Sequence, residues 1–272
     1  MRNEENKLKP KERQLNNKDH VLEDLVEVEE KREKEIGPSD SNFPLLKIFR
    51  ESAPGSFKHT QTLVDMVENV TASLNMDPEE LRLAALYHDI GKMLSPAIFT
   101  ENQGEANIHN NLDPWISYSL ITRHVSDSVM ILVAHAFPKK VIEIVSQHHG
   151  QSVLSAIFEK AKAADQKAVE DDYRYRTPKP SSIESMILML CDRAEATTRS
   201  LLIEQNKKDI DPFNLITNIF NKLSLDGQFD NVSILLGKLK TIQNALIQDV
   251  ASTFQKRVAY KEDEELIAKP KD

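Results

Sequence analysis

Glycine is scarce in this chain, with 7 among 272 residues. An antiparallel β protein needs glycine-bearing tight turns at short intervals, so the shortage argues for helices. Cysteine is scarcer still. The single thiol, Cys191, excludes an intrachain disulfide framework and is compatible with a reducing cytoplasm, the expected location. No segment approaches the roughly 18 apolar residues of a membrane span. The stretch 129–137 is too short and contains His135, and the N-terminus lacks the apolar core of a signal peptide. There is no long Lys/Arg block and the formal net charge is -8, so polymeric nucleic acid is not expected as a partner. A small anion can still bind where metal ions supply the positive charge.

What is present is 40% hydrophobic and 29% charged residues, the balance of a globular protein rather than a disordered chain. Apolar residues recur at spacings of three and four, as in Leu81, Leu83, Ala84, Ala85, Leu86 and in Ile183, Met186, Ile187, Met189, Leu190. That periodicity predicts an all-α fold.

The chain divides by composition into a charged arm at 1–42, a domain at 43–260 and a charged tail at 261–272. The arm is expected to be flexible; Val21, Leu22, Leu25 and Val28 suit one short amphipathic helix within it. The Met start and this arm are expected of a naturally soluble protein rather than a fragment. Pro44 opens the first helix, and Ala53-Pro54-Gly55-Ser56 breaks it. A second helix over 57–74 carries His59. Asp77-Pro78-Glu79-Glu80 starts a third, which delivers His88-Asp89 at its end, with Gly91 as its C-terminal stop. Residues 95–111 read as a loop. Asp113-Pro114 opens the helix bearing His124, and Pro138 opens one ending in Gln147-His148-His149-Gly150. A helix over 152–168, a polar loop over 171–182 and a helix carrying Asp192 follow. Asp211-Pro212 starts the next, and 231–258 forms a final helical segment with a frayed tail from Lys261.

His59, His88, Asp89, His124, His148, His149 and Asp192 all sit at helix ends or on apolar helix faces. Burying so many ionisable groups without compensating charge is costly. Two divalent cations would offset that cost, because imidazoles and carboxylates are their natural ligands. Asp89 has two oxygens and can touch two metals, which makes metal-assisted phosphoester hydrolysis the leading chemistry and Asp89 its central residue. For Asp192 the bland alternative is a surface salt bridge with Arg193 or Arg199. His148 and His149 point about 100° apart on a helix, but at a helix end both can converge on one ion. Lys92, just past the ligands, is assigned a catalytic and substrate-binding role, contacting a non-bridging phosphate oxygen. His109, in the long loop, is either a mobile surface residue or a donor to substrate phosphate, and we assign it the second role. His135 and Cys191 read as structural, and His20 as irrelevant to the site.

These motifs resemble those of the HD-domain metal-dependent phosphohydrolase superfamily. The resemblance is stronger to one branch, the catalytic domain of the seven-transmembrane HD receptors. It is carried by Phe43-Pro44-Leu45-Leu46-Lys47, by Ala53-Pro54-Gly55-Ser56-Phe57-Lys58-His59-Thr60, by Tyr87-His88-Asp89-Ile90-Gly91-Lys92 and by Glu101-Asn102-Gln103. Asn107-Ile108-His109, Arg123-His124-Val125, Gln147-His148-His149-Gly150, Tyr173-Arg174-Tyr175, Pro178-Lys179-Pro180, Leu188-Met189-Leu190-Cys191-Asp192 and Asp226-Gly227-Gln228-Phe229-Asp230 continue it in order, over roughly 43–260. It implies an all-helical bundle with a di-metal site, usually iron or manganese, and hydrolysis of cyclic di-AMP. By analogy, His59, His88, Asp89 and Asp192 hold one metal, and Asp89, His124, His148 and His149 the other. A hydroxide between them attacks phosphorus in line and expels the ribose 3′-oxygen, giving the linear 5′-phosphorylated dinucleotide. Lys58 stands where the family usually has a second His, and Phe57 where it has Tyr; both departures bear on substrate contacts. The family's extracellular domain and membrane spans are absent from this sequence. The Gly-Tyr-Pro signature of the cyclic di-GMP branch is missing after His148-His149, which ranks cyclic di-GMP second. The alternatives are another nucleotide substrate, a non-catalytic nucleotide-binding sensor and a structural scaffold. Oligomeric state is left unassigned.

Overall fold

The computed structural model describes residues 37–104, 107–204 and 210–267, with the side chains at 203–204 and 255–267 excluded. The amphipathic helix expected near Val21, along with His20 and the last five residues, lies outside that description. The chain divides into two units, residues 1–48 and 49–272. In the first, the Asp40 carboxylate accepts the Asn42 N–H at 2.7 Å ahead of helix α1. Among the described residues no strand forms; one isolated bridge joins Val153 and Arg174.

Nine α-helices are described: α1 Pro44–Ser52, α2 Pro54–Ser73, α3 Glu79–Tyr87, α4 Pro114–Ala134, α5 Lys139–Gln147, α6 Ser155–Ala164, α7 Ile183–Arg199, α8 Pro212–Leu225 and α9 Leu236–Ile267. Their starts follow local chemistry. Asp113 and Asp211 accept the Trp115 and Phe213 N–H groups at 2.8 and 2.9 Å, each just ahead of a proline. Ser182 and Ser185 cap α7 reciprocally.

Several boundaries differ from expectation. The break at Ala53-Pro54-Gly55-Ser56 is shorter than expected: α2 begins at Pro54 rather than near Phe57, because proline suits the first helical position. Ala53 still accepts the Phe57 N–H while donating to Phe49, so the interruption is one residue long. The stretch 95–111 holds three short 3-10 turns, Pro96–Ile98, Thr100–Asn102 and Ile108–Asn110. The final helix runs on to Ile267, past the tail expected to fray at Lys261.

Gly91 is not a helix stop either. It lies within a 3-10 turn, Ile90–Leu94, that packs on α4. A Cβ there would sit 2.3 Å from the His124 carbonyl oxygen and 2.6 Å from the Ser128 nitrogen. The glycine lets two backbones touch, and its N–H donates to Ser128 Oγ at 2.9 Å.

The core is built around α7. Met186, Ile187, Leu188, Met189, Leu190 and Cys191 are all at most 2% exposed, so this helix is enclosed on every side over two turns. It packs against α2, α3, α5, α8 and α9. Each such side chain contributes about 1.5–3 kcal/mol on burial. The same packing draws together the N-terminal part of α2 and the C-terminal ends of α3 and α5, with α4 held across the Ile90–Leu94 turn. Those segments carry the histidines.

Candidate metal centre

The seven residues proposed as ligands converge. His59 projects from α2, His88 and Asp89 follow α3, His124 lies on α4, His148 and His149 follow α5, and Asp192 lies on α7. His59, His88 and Asp89 form one group of potential ligand atoms within 4.8 Å of one another, and His124, His148 and His149 form a second. Asp89 lies between the two. Its Oδ2 is 3.1 Å from His88 Nε2 and 3.8 Å from His59 Nε2, whereas its Oδ1 is 3.2 Å from His124 Nε2 and 4.0 Å from His148 Nε2. Asp192 spans both groups as well: Oδ1 is 3.1 Å from His59 Nε2 and Oδ2 is 3.6 Å from His149 Nδ1. Among the described residues it has no ion pair with Arg193 or Arg199, the bland alternative for this position.

The rings are aimed by their other nitrogens. His88, His124 and His148 each donate Nδ1–H to the carbonyl three residues back, on Ala85, Ile121 and Val145, at 2.8, 2.7 and 2.6 Å. That fixes the tautomer and leaves the Nε2 lone pair facing inward, the arrangement of metal-ligating histidines. His59 differs, with Nδ1 2.5 Å from the Glu195 carboxylate.

The group fits divalent metal ions. His88 Nε2 and Asp89 Oδ1 are buried with no hydrogen-bond partner. Each such orphan costs about 1–3 kcal/mol unless something satisfies it. Two atoms bound about 2.1 Å from one ion at right angles lie about 3 Å apart, close to the shortest separations here.

Protonation states divide along the same line. Burial alone would lower the His59 pKa, but hydrogen bonds to Asp192 and Glu195 outweigh it and raise it to about 10. Burial lowers His124, brings His148 down to about 3 and holds His149 well below the usual range, so these three are neutral. Burial opposes ionisation of Asp89 and Asp192, yet the cationic and imidazole neighbours overcome it and hold both well below the usual carboxylate range.

Lys92 lies 2.7 Å from Asp89 Oδ2 and 2.8 Å from Glu101 Oε1, with its ammonium over the Phe99 ring. Glu101 is correspondingly depressed to about 2, the Lys92 charge overcoming its burial. His109 is not brought into the cluster. It is buried rather than mobile; Nε2 contacts the Ile98 carbonyl at 2.7 Å and Nδ1 has no partner. His135 is exposed at the end of α4, its Nδ1 2.8 Å from the Ile131 carbonyl. Cys191 is buried, and burial pushes its thiol well up.

The HD domain family model matches residues 56–197. This chain belongs to the HD-domain family. Among its relatives are the cyclic-di-AMP phosphodiesterases PgpH of Bacillus subtilis (strain 168), 32% identical over 225 residues, and of Listeria monocytogenes, 33% identical over 228. These alignments cover 82% and 84% of this chain but only 31% of each relative. The crystal structure of the L. monocytogenes PgpH HD domain superposes with a TM-score of 0.71 at 32% identity, covering 78% of this chain and all of that one. The same domain in complex with cyclic-di-AMP gives a TM-score of 0.71 at 33% identity, over 77% of this chain and 96% of that one. The all-α HD fold expected from the sequence therefore holds.

Three residues around the HD-family cluster escaped the sequence reading of the site. Glu195, 8% exposed, is the partner of His59. It lies three residues after Asp192, on the same face of α7, and that spacing was the available signal. Glu101 pairs with Lys92 and accepts the Ser56 hydroxyl at 2.9 Å. Tyr175, 4% exposed, lies against His149 with ring centroids 4.3 Å apart. Its motif, Tyr173-Arg174-Tyr175, is part of the family resemblance, but the sequence assigned it no role at the site.

Proposed function

We propose that this chain is a metal-dependent phosphodiesterase that hydrolyses a cyclic dinucleotide, cyclic di-AMP ahead of cyclic di-GMP, to the linear 5′-phosphorylated dinucleotide. The activity belongs to residues 43–260 and operates in the cytoplasm. The observation that carries the reading is Asp89, buried, with its two oxygens turned toward separate histidine groups. The likeness to a PgpH HD domain solved with cyclic-di-AMP supports the substrate.

His59, His88, Asp89 and Asp192 would hold one divalent transition metal, and Asp89, His124, His148 and His149 a second, manganese or iron. Asp192 Oδ2 also reaches toward the second group. When bound, the metals supply Lewis-acid charge and a water acidic enough to act as nucleophile near neutral pH. Attack on phosphorus forms the new P–O bond, breaks the bond to the ribose 3′-oxygen and leaves the phosphate on the 5′ side. Lys92 has three N–H donors; two face Asp89 and Glu101, and the third is left for a non-bridging phosphate oxygen. The substrate contact expected of His109 gains no support from its placement: Nε2–H is given to the Ile98 carbonyl, and Nδ1, left with a lone pair, is buried.

The test is turnover. Protein purified without oxygen and loaded with manganese is given cyclic di-AMP and cyclic di-GMP separately, and the products are separated by chromatography. Faster conversion of cyclic di-AMP to the linear dinucleotide is expected. Retention of intact nucleotide without cleavage would make the protein a sensor instead. Lys92→Ala is expected to keep the metals and slow turnover about 100-fold; loss of metal would mean its role is structural.

A further inference from the structure

Helix α2 begins without a cap of its own. Ala53 offers no side-chain acceptor, and Pro54 has no N–H to satisfy. The next two N–H groups are met from a distance: Gly55 and Ser56 donate to Asn102 Oδ1 at 2.8 and 3.1 Å. Asn102 ends the Thr100–Asn102 turn, and its carboxamide does there what an N-cap side chain does locally. The approach is close. A Cβ on Gly55 would lie 1.9 Å from the Glu101 carbonyl oxygen, so only glycine lets that turn reach the helix.

The hydrogen bonds continue from this cap to the metal centre. Oδ1 of Asn102 is committed to two backbone donors, so Nδ2 must face the other way. It donates to Ser56 Oγ at 2.8 Å. That hydroxyl is fully buried, and it gives its single proton to Glu101 Oε1 at 2.9 Å. The same oxygen accepts from Lys92 Nζ at 2.8 Å, and Lys92 faces Asp89 Oδ2 at 2.7 Å. Amide, hydroxyl, carboxylate and ammonium thus form one directed chain ending on the residue that lies between the two histidine groups. The Glu101 and Lys92 side chains are only 10% and 13% exposed, so water competes little for these bonds.

A lysine ammonium is a point charge on a flexible stem, and one partner does not orient it. Asp89 alone would leave the Lys92 donors free to pivot; Glu101 supplies the second fixed acceptor. We propose that Glu101 is a positioning residue for Lys92, held in place by Ser56 and Asn102, and that it directs the remaining Lys92 N–H toward the reacting phosphate. The inference rests on the proposed function. Glu101 acts through Lys92, so its contribution lies in the transition state and falls on kcat rather than KM. His59 lies one turn past Gly55 on α2, so the same contact registers Lys92 against the first metal group.

The experiment is a double-mutant cycle on cyclic di-AMP with manganese-loaded protein. Wild type, Ser56→Ala, Lys92→Ala and the double variant are compared, with metal content and melting recorded for each. Ser56→Ala leaves the Asn102 cap in place and cuts its link to Glu101. It is expected to keep two metals per chain and to lower kcat about 10-fold, with KM within about 2-fold. In the Lys92→Ala background the same change should alter kcat by less than about 2-fold, because there is no ammonium left to position. Glu101→Gln keeps the shape and weakens the acceptor; as a second probe it should also lower kcat only when Lys92 is present. An equal proportional loss with and without Lys92, or a loss of bound metal, would make the chain a folding device and overturn the proposal. Unchanged kcat in both Ser56→Ala and Glu101→Gln overturns it while the function stands. Failure of the wild type to cut cyclic di-AMP overturns the function, and the positioning role with it.

Discussion

The two histidine groups at the metal centre differ at one residue, His59, because His88 is steered by a backbone carbonyl like His124 and His148 of the second group. His124 and His148 are steered by backbone carbonyls, and with His149 they are neutral by burial. His59 is steered by a carboxylate and sits between Glu195 and Asp192, which hold a proton on it. A backbone carbonyl orients an imidazole and leaves it neutral, whereas a buried carboxylate orients it and raises its basicity. One half of the site is therefore ready for a cation as it stands, and the other must give up a proton first.

That difference is erased most completely by Asp89→Ala, because Asp89 faces both groups. The variant is expected to lose metal from both and to drop to background turnover, read by elemental analysis and product chromatography; full activity would sink the di-metal reading. Glu195→Gln should sharpen the contrast. Without its carboxylate partner His59 becomes less basic, and metal affinity at the first group, corrected for proton competition, should fall about 10- to 100-fold while the second group is unchanged. Equal weakening at both groups in a manganese titration would show that the halves do not act separately.

A pH titration probes the same contrast more gently. His59 sits at about 10 in the folded protein against 6.5 for the free side chain. Its contribution to metal-free stability is fully present below 6.5 and is lost as pH rises through about 10. A metal entering the first group competes with that proton, so apparent affinity there should climb about 10-fold per pH unit from 7 toward 10. His148, at about 3, has no proton to lose in that range, and affinity at the second group should stay flat. The smallest effect is expected from Gly91→Ala. The added methyl meets backbone in α4, and melting should report a loss of about 1–3 kcal/mol. An unchanged melting temperature would mean that the contact between the Ile90–Leu94 turn and α4 yields freely.

The helical fold and the convergence of the seven proposed ligands were legible in the sequence. Histidines and aspartates at the ends of apolar helices have few low-energy explanations other than a shared cation. Glu195 was legible only through its spacing from Asp192; otherwise a glutamate near arginine looks like a solvated face until its neighbours are known. Gly91 misled for a related reason: a glycine after a helix suggests a stop, and only packing reveals the backbone that lies against it. Pro54 misled in the opposite sense, since a proline that breaks one helix can also begin the next.

The most direct test of the two-part site is calorimetric titration of metal-free protein with manganese at pH 7.5, in buffers of different ionisation enthalpy. The account predicts two binding events per chain, one releasing about one proton, from His59, and one releasing none. A single event, or two events with equal proton release, would contradict it.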